Sequence, residues 1–196
     1  MQVDTNSYTR FVLKYIDNRS LEDGRRVNQH MIDSRFDPGI ILSNHLINMY
    51  AKCGSVENAR QVFERMLERN LVSWNIMIAG YSKNGYYEEA MDLFGLMHRT
   101  GVKPREFTLA IILGVCVNLG VVNRGRELHA HIAKTGFQSD FYVGCSLVTM
   151  YAKSRIVDHA CKVFDEMATV SSTLWNSMIA ACVKNEIDLQ ALEIFS

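Results

Sequence analysis

Apolar residues recur along this chain at steps of three and four, and short polar or glycine-bearing stretches interrupt them at regular intervals. Residues 44–66, NHLINMYAKCGSVENARQVFERM, show the pattern most cleanly. Ala59, Val62, Phe63 and Met66 fall at i, i+3, i+4 and i+7, on one face of a helix. Leu46 and Tyr50 sit four apart and face that stripe across a turn at Cys53, Gly54 and Ser55, where Gly suits a left-handed helix end and Ser suits a cap for the next helix. The segment reads as a helical hairpin. A unit this small cannot bury its own apolar face and needs neighbours.

The pattern repeats. Residues 145–167, CSLVTMYAKSRIVDHACKVFDEM, are a second copy, 101 positions on. The same offset aligns residues 21–36 with 122–137, 40–70 with 141–171, and 73–80 with 174–181. The long period divides into hairpins at residues 5–39, 40–70 and 71–105, then 106–140, 141–171 and a partial unit at 172–196. The expectation is that the chain stops partway through that third unit. Periods of this size predict an all-α fold, an α-solenoid superhelix of stacked helix-turn-helix repeats. The copies differ at the turn, where Gly54 corresponds to Arg155 and Ser55 to Ile156. A non-glycine residue in a left-handed helix end costs about 1 kcal/mol. The second turn is therefore expected to take another shape.

Composition adds exclusions. An apolar fraction of 48% with two prolines suits a packed helical protein. The first residues have neither a signal core nor an Arg-rich amphipathic stretch, and the longest apolar run, 109–117, is too short to span a bilayer. Five cysteines form no C-x-x-C pair, and most are expected to be small apolar fillers in a reduced compartment. A formal net charge of zero favours no partner, so a case for nucleic acid must come from pattern.

That pattern is in the phrases VSWNIMIAGYSKNG, MYAKCGSVENA and ELHAHIAKTGF, set in units of 35, 31 and 35 residues. Together they resemble plant pentatricopeptide repeat proteins, of the subclass that alternates P, L and S motifs. Residues 5–39 and 106–140 then read as L, 40–70 and 141–171 as S (the second degenerate), and 71–105 and 172–196 as P. The resemblance implies a binder of single-stranded RNA, one nucleotide per repeat, along a concave face. It places the chain in a mitochondrion or chloroplast, in RNA processing or C-to-U editing of an organellar transcript, alongside editing-factor proteins. No enzyme activity, cofactor, metal or membrane is expected. The H-x-E and P-C-x-x-C signature of the cytidine deaminase that ends some relatives is not in these 196 residues.

In the family, the fifth and last residues of a motif read the base. Here they are Asn44 with Asn70, Asn75 with Arg105, Cys145 with Ser171, and Asn176 without a partner. The L units offer Thr9 with Gly39 and Ala110 with Asp140, and L motifs follow the family code poorly. An Asn amide carries both donor and acceptor and can meet a pyrimidine edge, while size excludes purines. A last-position Asn or Ser donates to the ring nitrogen of cytosine, where Asp would accept from the imino proton of uracil. Arg105 has donors only, so its repeat keeps half the code.

The family also uses the second residue of each motif to wedge between bases, which here means Ile41, Val72 and Tyr142, with Phe107 in an L unit. The thirteenth position repeats as Lys52, Lys83, Lys153 and Lys184, placed to meet phosphate or simply to complement the helix dipole. Trp74 and Trp175 read as core. His129 and His131, two apart, lie on different helical faces and do not suggest a metal site. The alternative reading is a tetratricopeptide-like scaffold for peptides, although its W-x-x-L-G-x-x-Y pattern is not found. An unrecognised helical enzyme would need a nucleophile, base and orienting group that cannot be grouped from the sequence.

Overall fold

The computed structural model describes residues 4–167 and 169–184, and the described residues form eleven α-helices. They fall into two compact units, one ending at Lys103 and the other beginning at Pro104. The first unit contains α1 (Thr5–Asn18), α2 (Leu21–Asp33), α3 (Gly39–Lys52), α4 (Val56–Arg65), α5 (Leu71–Lys83) and α6 (Tyr87–Arg99). The second contains α7 (Glu106–Leu119), α8 (Val122–Thr135), α9 (Phe141–Lys153), α10 (Val157–Asp165) and α11 (Ser172–Lys184), with a 3-10 turn at Phe137–Ser139.

Each unit is a stack of helical hairpins, and the fold is all-α, of the α-solenoid type. In the first, α1, α3 and α5 pack side by side, while α2, α4 and α6 each fold back on the helix before them. In the second, α9 lies between α7 and α11, with α8 and α10 as the outer partners. The helix starts at Thr5, Leu21, Val56 and Leu71 recur at Glu106, Val122, Val157 and Ser172, in each case 101 residues on. Only α9 begins one position later than that spacing would give.

The apolar stripe explains the stacking. Leu46, Ile47, Met49 and Tyr50 of α3 are almost fully buried, and Ala59, Val62 and Phe63 of α4, with Met66 just after it, are buried with them. Each large side chain removed from water contributes about 1.5–3 kcal/mol. Trp74 on α5 meets Phe63 edge-on at 5.1 Å, and Trp175 on α11 meets Phe164 the same way at 4.8 Å. Trp74 is buried, whereas Trp175 remains half-buried.

The turn after each first helix is closed by backbone hydrogen bonds. Ser55 N donates to Tyr50 O at 2.9 Å and Gly54 N to Ala51 O at 3.2 Å, with Gly54 at φ +76°. Three expectations from the sequence are corrected here. Ser55 makes no cap; its Oγ instead accepts from Asn58 Nδ2 at 2.7 Å, so α4 begins without a side-chain cap. Arg155 does not reshape its turn. It adopts φ +61°, and Ile156 N to Tyr151 O at 2.9 Å and Arg155 N to Ala152 O at 3.2 Å repeat the first turn's bonds. The packed hairpin imposes the turn, and the arginine backbone bears a strain of about 1 kcal/mol. Finally, only Cys116 and Cys182 of the cysteines are buried, while Cys53, Cys145 and Cys161 are half-exposed because they sit near helix ends or unit faces.

Candidate nucleic-acid interface

In the first unit the candidate residues gather on the first helices of the hairpins. Ile41 and Val72 lie in the opening turns of α3 and α5 and stay 73% and 51% exposed. A water-facing apolar side chain at the same turn of neighbouring helices offers a surface for a flat ligand. One turn further on stands Asn44. It is 7% exposed, enclosed where α3 packs between α1 and α5, and its Oδ1 has no hydrogen-bond partner. A desolvated acceptor left unpaired is costly. Asn75, at the equivalent turn of α5, is half-buried. Thr9 on α1 donates its Oγ1 proton to Thr5 O at 2.8 Å, which spends the hydroxyl inside its own helix.

The last position of a repeat coincides with the cap of the next first helix. Asn70 caps α5: its Oδ1 accepts from Ser73 N at 3.0 Å and from Ser73 Oγ at 3.1 Å. With the oxygen turned inward, the amide presents its N–H groups outward. Asn44 and Asn70 thus belong to adjacent, directly packed helices. Gly39 opens α3 at φ +60°, its N–H held by Asp37 Oδ1 at 2.9 Å. Lys52 and Lys83 extend from the last turns of α3 and α5 into solvent.

The second unit shows the same layout with altered chemistry. Phe107 and Tyr142 are 59% and 71% exposed in the opening turns of α7 and α9. Ala110 and Cys145 are half-buried, and burial pushes the Cys145 thiol up, so it stays protonated. Asp140 caps α9 by accepting from Val143 N at 3.0 Å, and Ser171 Oγ accepts from Leu174 N at 3.2 Å at the start of α11. Arg105 precedes α7 and pairs with Glu106 at 3.5 Å. Asn176 is exposed on α11, and Lys153 is exposed at the end of α9. The Lys184 side chain lies outside the described residues.

Two contributors were not singled out from the sequence. Asn84 donates through Nδ2 to Ala51 O at 3.0 Å and to Gly80 O at 2.7 Å, which pins the α5–α6 turn against the end of α3. Its signal was the Asn-Gly pair at 84–85. Ser73 orients Asn70, and its signal was the polar residue three positions after a cap. His129 bonds through Nδ1 to Tyr151 OH at 2.9 Å, while His131 is exposed. Among the described residues, no group of three or more His, Cys, Asp or Glu is gathered as for a metal ion. No helix among them is long and apolar enough to cross a membrane.

Comparison with known proteins bears on this arrangement. A model described as the PPR repeat family matches residues 69–118, and one described as the PPR repeat matches residues 41–71, 145–169 and 173–196. An Arabidopsis thaliana protein named as a putative mitochondrial pentatricopeptide repeat-containing protein is 36% identical over 97% of this chain and 30% of its own length. A chloroplastic one from the same plant is 39% identical over 91% of this chain and 22% of its own. The chain thus spans a third or less of these relatives. Among solved structures, the pentatricopeptide repeat protein PPR10 in complex with an 18-nt psaJ RNA element superposes with a TM-score of 0.80. That likeness covers 96% of this chain and 29% of the other at 22% identity, and so speaks to the fold. Since the matched repeat segments together span more than half of the chain, the protein belongs to the pentatricopeptide repeat family.

Proposed function

We propose that this chain is a recognition module for single-stranded RNA, reading one base per repeat with the residues described above. The observation that carries the reading is the buried, unpartnered Oδ1 of Asn44 on α3, packed against the α5 helix that Asn70 caps with its oxygen engaged by Ser73. An acceptor next to a donor matches cytosine, whose N4 amino group donates and whose N3 accepts; uracil presents the reverse order. Adenine shares cytosine's order and is excluded by size, because the long Asn side chain occupies the room a purine needs. Exposed Ile41, Val72, Phe107 and Tyr142 sandwich successive bases, each contact contributing about 1–3 kcal/mol when it behaves as base stacking. Lys52, Lys83 and Lys153 meet the phosphates.

The repeats divide at residues 5–39, 40–70, 71–105, 106–140, 141–171 and 172–196, in the alternating L, S and P order. Cys145 replaces the reading Asn in the second S unit, which acts mainly as a spacer. The module has no catalysis of its own, so processing or C-to-U editing of the bound transcript falls to another part of the whole protein or to a recruited partner. The organellar names of its relatives support a mitochondrial or chloroplast location.

Selection from a randomised single-stranded RNA pool tests this. Wild type enriches cytosine at the position facing residues 40–70, Asn44→Ala loses that preference, and Asn75→Thr moves its own position away from pyrimidine. No single-strand binding at low salt, or preferences that ignore both substitutions, would overturn the reading.

A further inference from the structure

We propose that Arg19 and Arg155 are additional phosphate-contacting residues for the single strand, a role that rests on the RNA-binding reading above. Among the described residues, the non-glycine positions with positive φ are Arg19 at +50°, Arg35 at +52° and Arg155 at +61°. The positions 101 residues away from them are Gly120, Gly136 and Gly54, at +69°, +80° and +76°. Three left-handed turns therefore exist in two versions each, glycine in one copy and arginine in the other. Where a side chain must adopt this geometry, Asn, Asp and His are the residues it favours. Arginine in all three is a choice that backbone sterics do not make.

The guanidinium groups are available. All three arginines are exposed, and among the described residues none of them forms an ion pair. Glu22 and Asp23, at the start of the helix that follows Arg19, are engaged by Arg26 at 3.6 and 3.9 Å, and the exposed Asp17 two residues before it makes no ion pair with it.

Position separates two of the three. Arg19 and Arg155 occupy the turn that follows a first helix, the same edge as the repeated lysines; Arg155 is two residues beyond the exposed Lys153. In the first unit, Arg19 is exposed in the turn after α1. Because α1 packs alongside α3, the turn that holds Arg19 and the turn that follows Lys52 lie at the same end of neighbouring helices. The bond from Asn84 to Ala51 O brings the turn after Lys83 against the same place. Arg19, Lys52 and Lys83 thus share one edge of the first unit. Arg35 lies on the connection from α2 to α3, at the other end of the helices. A guanidinium on the lysine edge offers a planar fork that can grip two phosphate oxygens, which an ammonium cannot do.

The test is fluorescence anisotropy of a labelled cytidine-rich 12-mer RNA from 0.05 to 0.2 M KCl, with thermal melts of the same variants. Arg19→Gly and Arg155→Gly should each flatten the slope of log K against log salt by about 0.7 and weaken binding roughly eightfold at 0.05 M. Neither should lower Tm, because glycine relieves the turn. Arg35→Gly should also keep Tm but leave the slope unchanged, and Gly54→Arg should steepen it by about 0.7 while lowering Tm. Unchanged slopes for Arg19→Gly and Arg155→Gly, with wild type binding normally, would overturn the assignment and leave the RNA-binding reading intact. An equal loss in Arg35→Gly would overturn it as well, by showing bulk charge alone. Failure of wild type to bind at low salt would remove both.

Discussion

Asn44→Ala separates what the buried amide does for the fold from what it does for a ligand. In the wild type the side chain is 7% exposed and its Oδ1 has no partner, a state that costs about 1–3 kcal/mol. Truncation removes that penalty and adds about 0.5 kcal/mol of helix propensity within α3. It also leaves a small void between α3 and its neighbours, which costs roughly 0.5–1 kcal/mol. The balance is a gain of about 1–2 kcal/mol. For a chain of 196 residues this raises Tm by about 2–8 °C, at 2–4 °C per kcal/mol. The assay is a pair of circular-dichroism melts at pH 7, run beside the pool selection. The expected result is opposite signs: higher Tm, and no base preference at the matching nucleotide. A fall in Tm would refute the reasoning, because it would mean that the oxygen is satisfied in the folded protein and that Asn44 is retained for packing rather than for a base.

Two further substitutions probe the scaffold. His129 is held below the ordinary imidazole value by burial first and by the nearby His159, with Glu166 opposing, while Nδ1 contacts Tyr151 OH. Because the folded value is depressed, the unfolded chain binds more protons in this window; stability is complete above about pH 6.5 and falls as pH drops through it. Urea midpoints at pH 7.5 and 5.5 should differ less in His129→Asn, which installs the residue found at the equivalent Asn28. Gly114 is exposed within α7, and a Cβ there meets nothing within 4 Å. Gly114→Ala should therefore stabilise the second unit by about 0.5–1 kcal/mol, seen as a higher denaturation midpoint with an unchanged slope.

The helical hairpins were legible because their signals are local. A stripe at i, i+3, i+4 and i+7 needs no neighbour to be recognised, and Ala59, Val62, Phe63 and Met66 are buried as that stripe requires. Features set by the neighbouring hairpin were not legible. Ser55 has the right identity for a cap, yet Asn58 takes its oxygen. Arg155 has the wrong identity for a left-handed turn, yet the α9–α10 hairpin and the turn's backbone hydrogen bonds hold it there. Propensity is a weak prior that tertiary contacts override. The candidate site divides the same way. That Asn44 and Asn70 lie on consecutive first helices follows from the repeat register, but the burial of Asn44 depends on α1, more than two dozen residues upstream. The inward turn of the Asn70 oxygen depends on Ser73. The sequence had already cast the last-position Asn as a donor; the structure adds an unpaired acceptor at Asn44, whose amide the sequence left open to either role.

The duplication acts as a controlled comparison within one chain. Ala59, Val62, Phe63 and Met66 recur as Ala160, Val163, Phe164 and Met167, while Asn44 became Cys145, Asn70 became Ser171 and Gly54 became Arg155. In a stack where each hairpin contacts only its neighbours, stability is a sum of local terms. The stripe is held by those terms, and residues on the turns and helix starts can change as long as α9 and α10 still close, which they do. The Cys145 thiol, kept protonated by burial, offers only a weak donor where Asn44 offers an amide. The second copy thus lacks the amide proposed to discriminate bases and carries a cation at Arg155. On the proposed reading, affinity and specificity are lodged in different residues of this fold: salt dependence in the turn cations, base preference in Asn44 and Asn70. Each can therefore be altered without disturbing the other or the core beneath them.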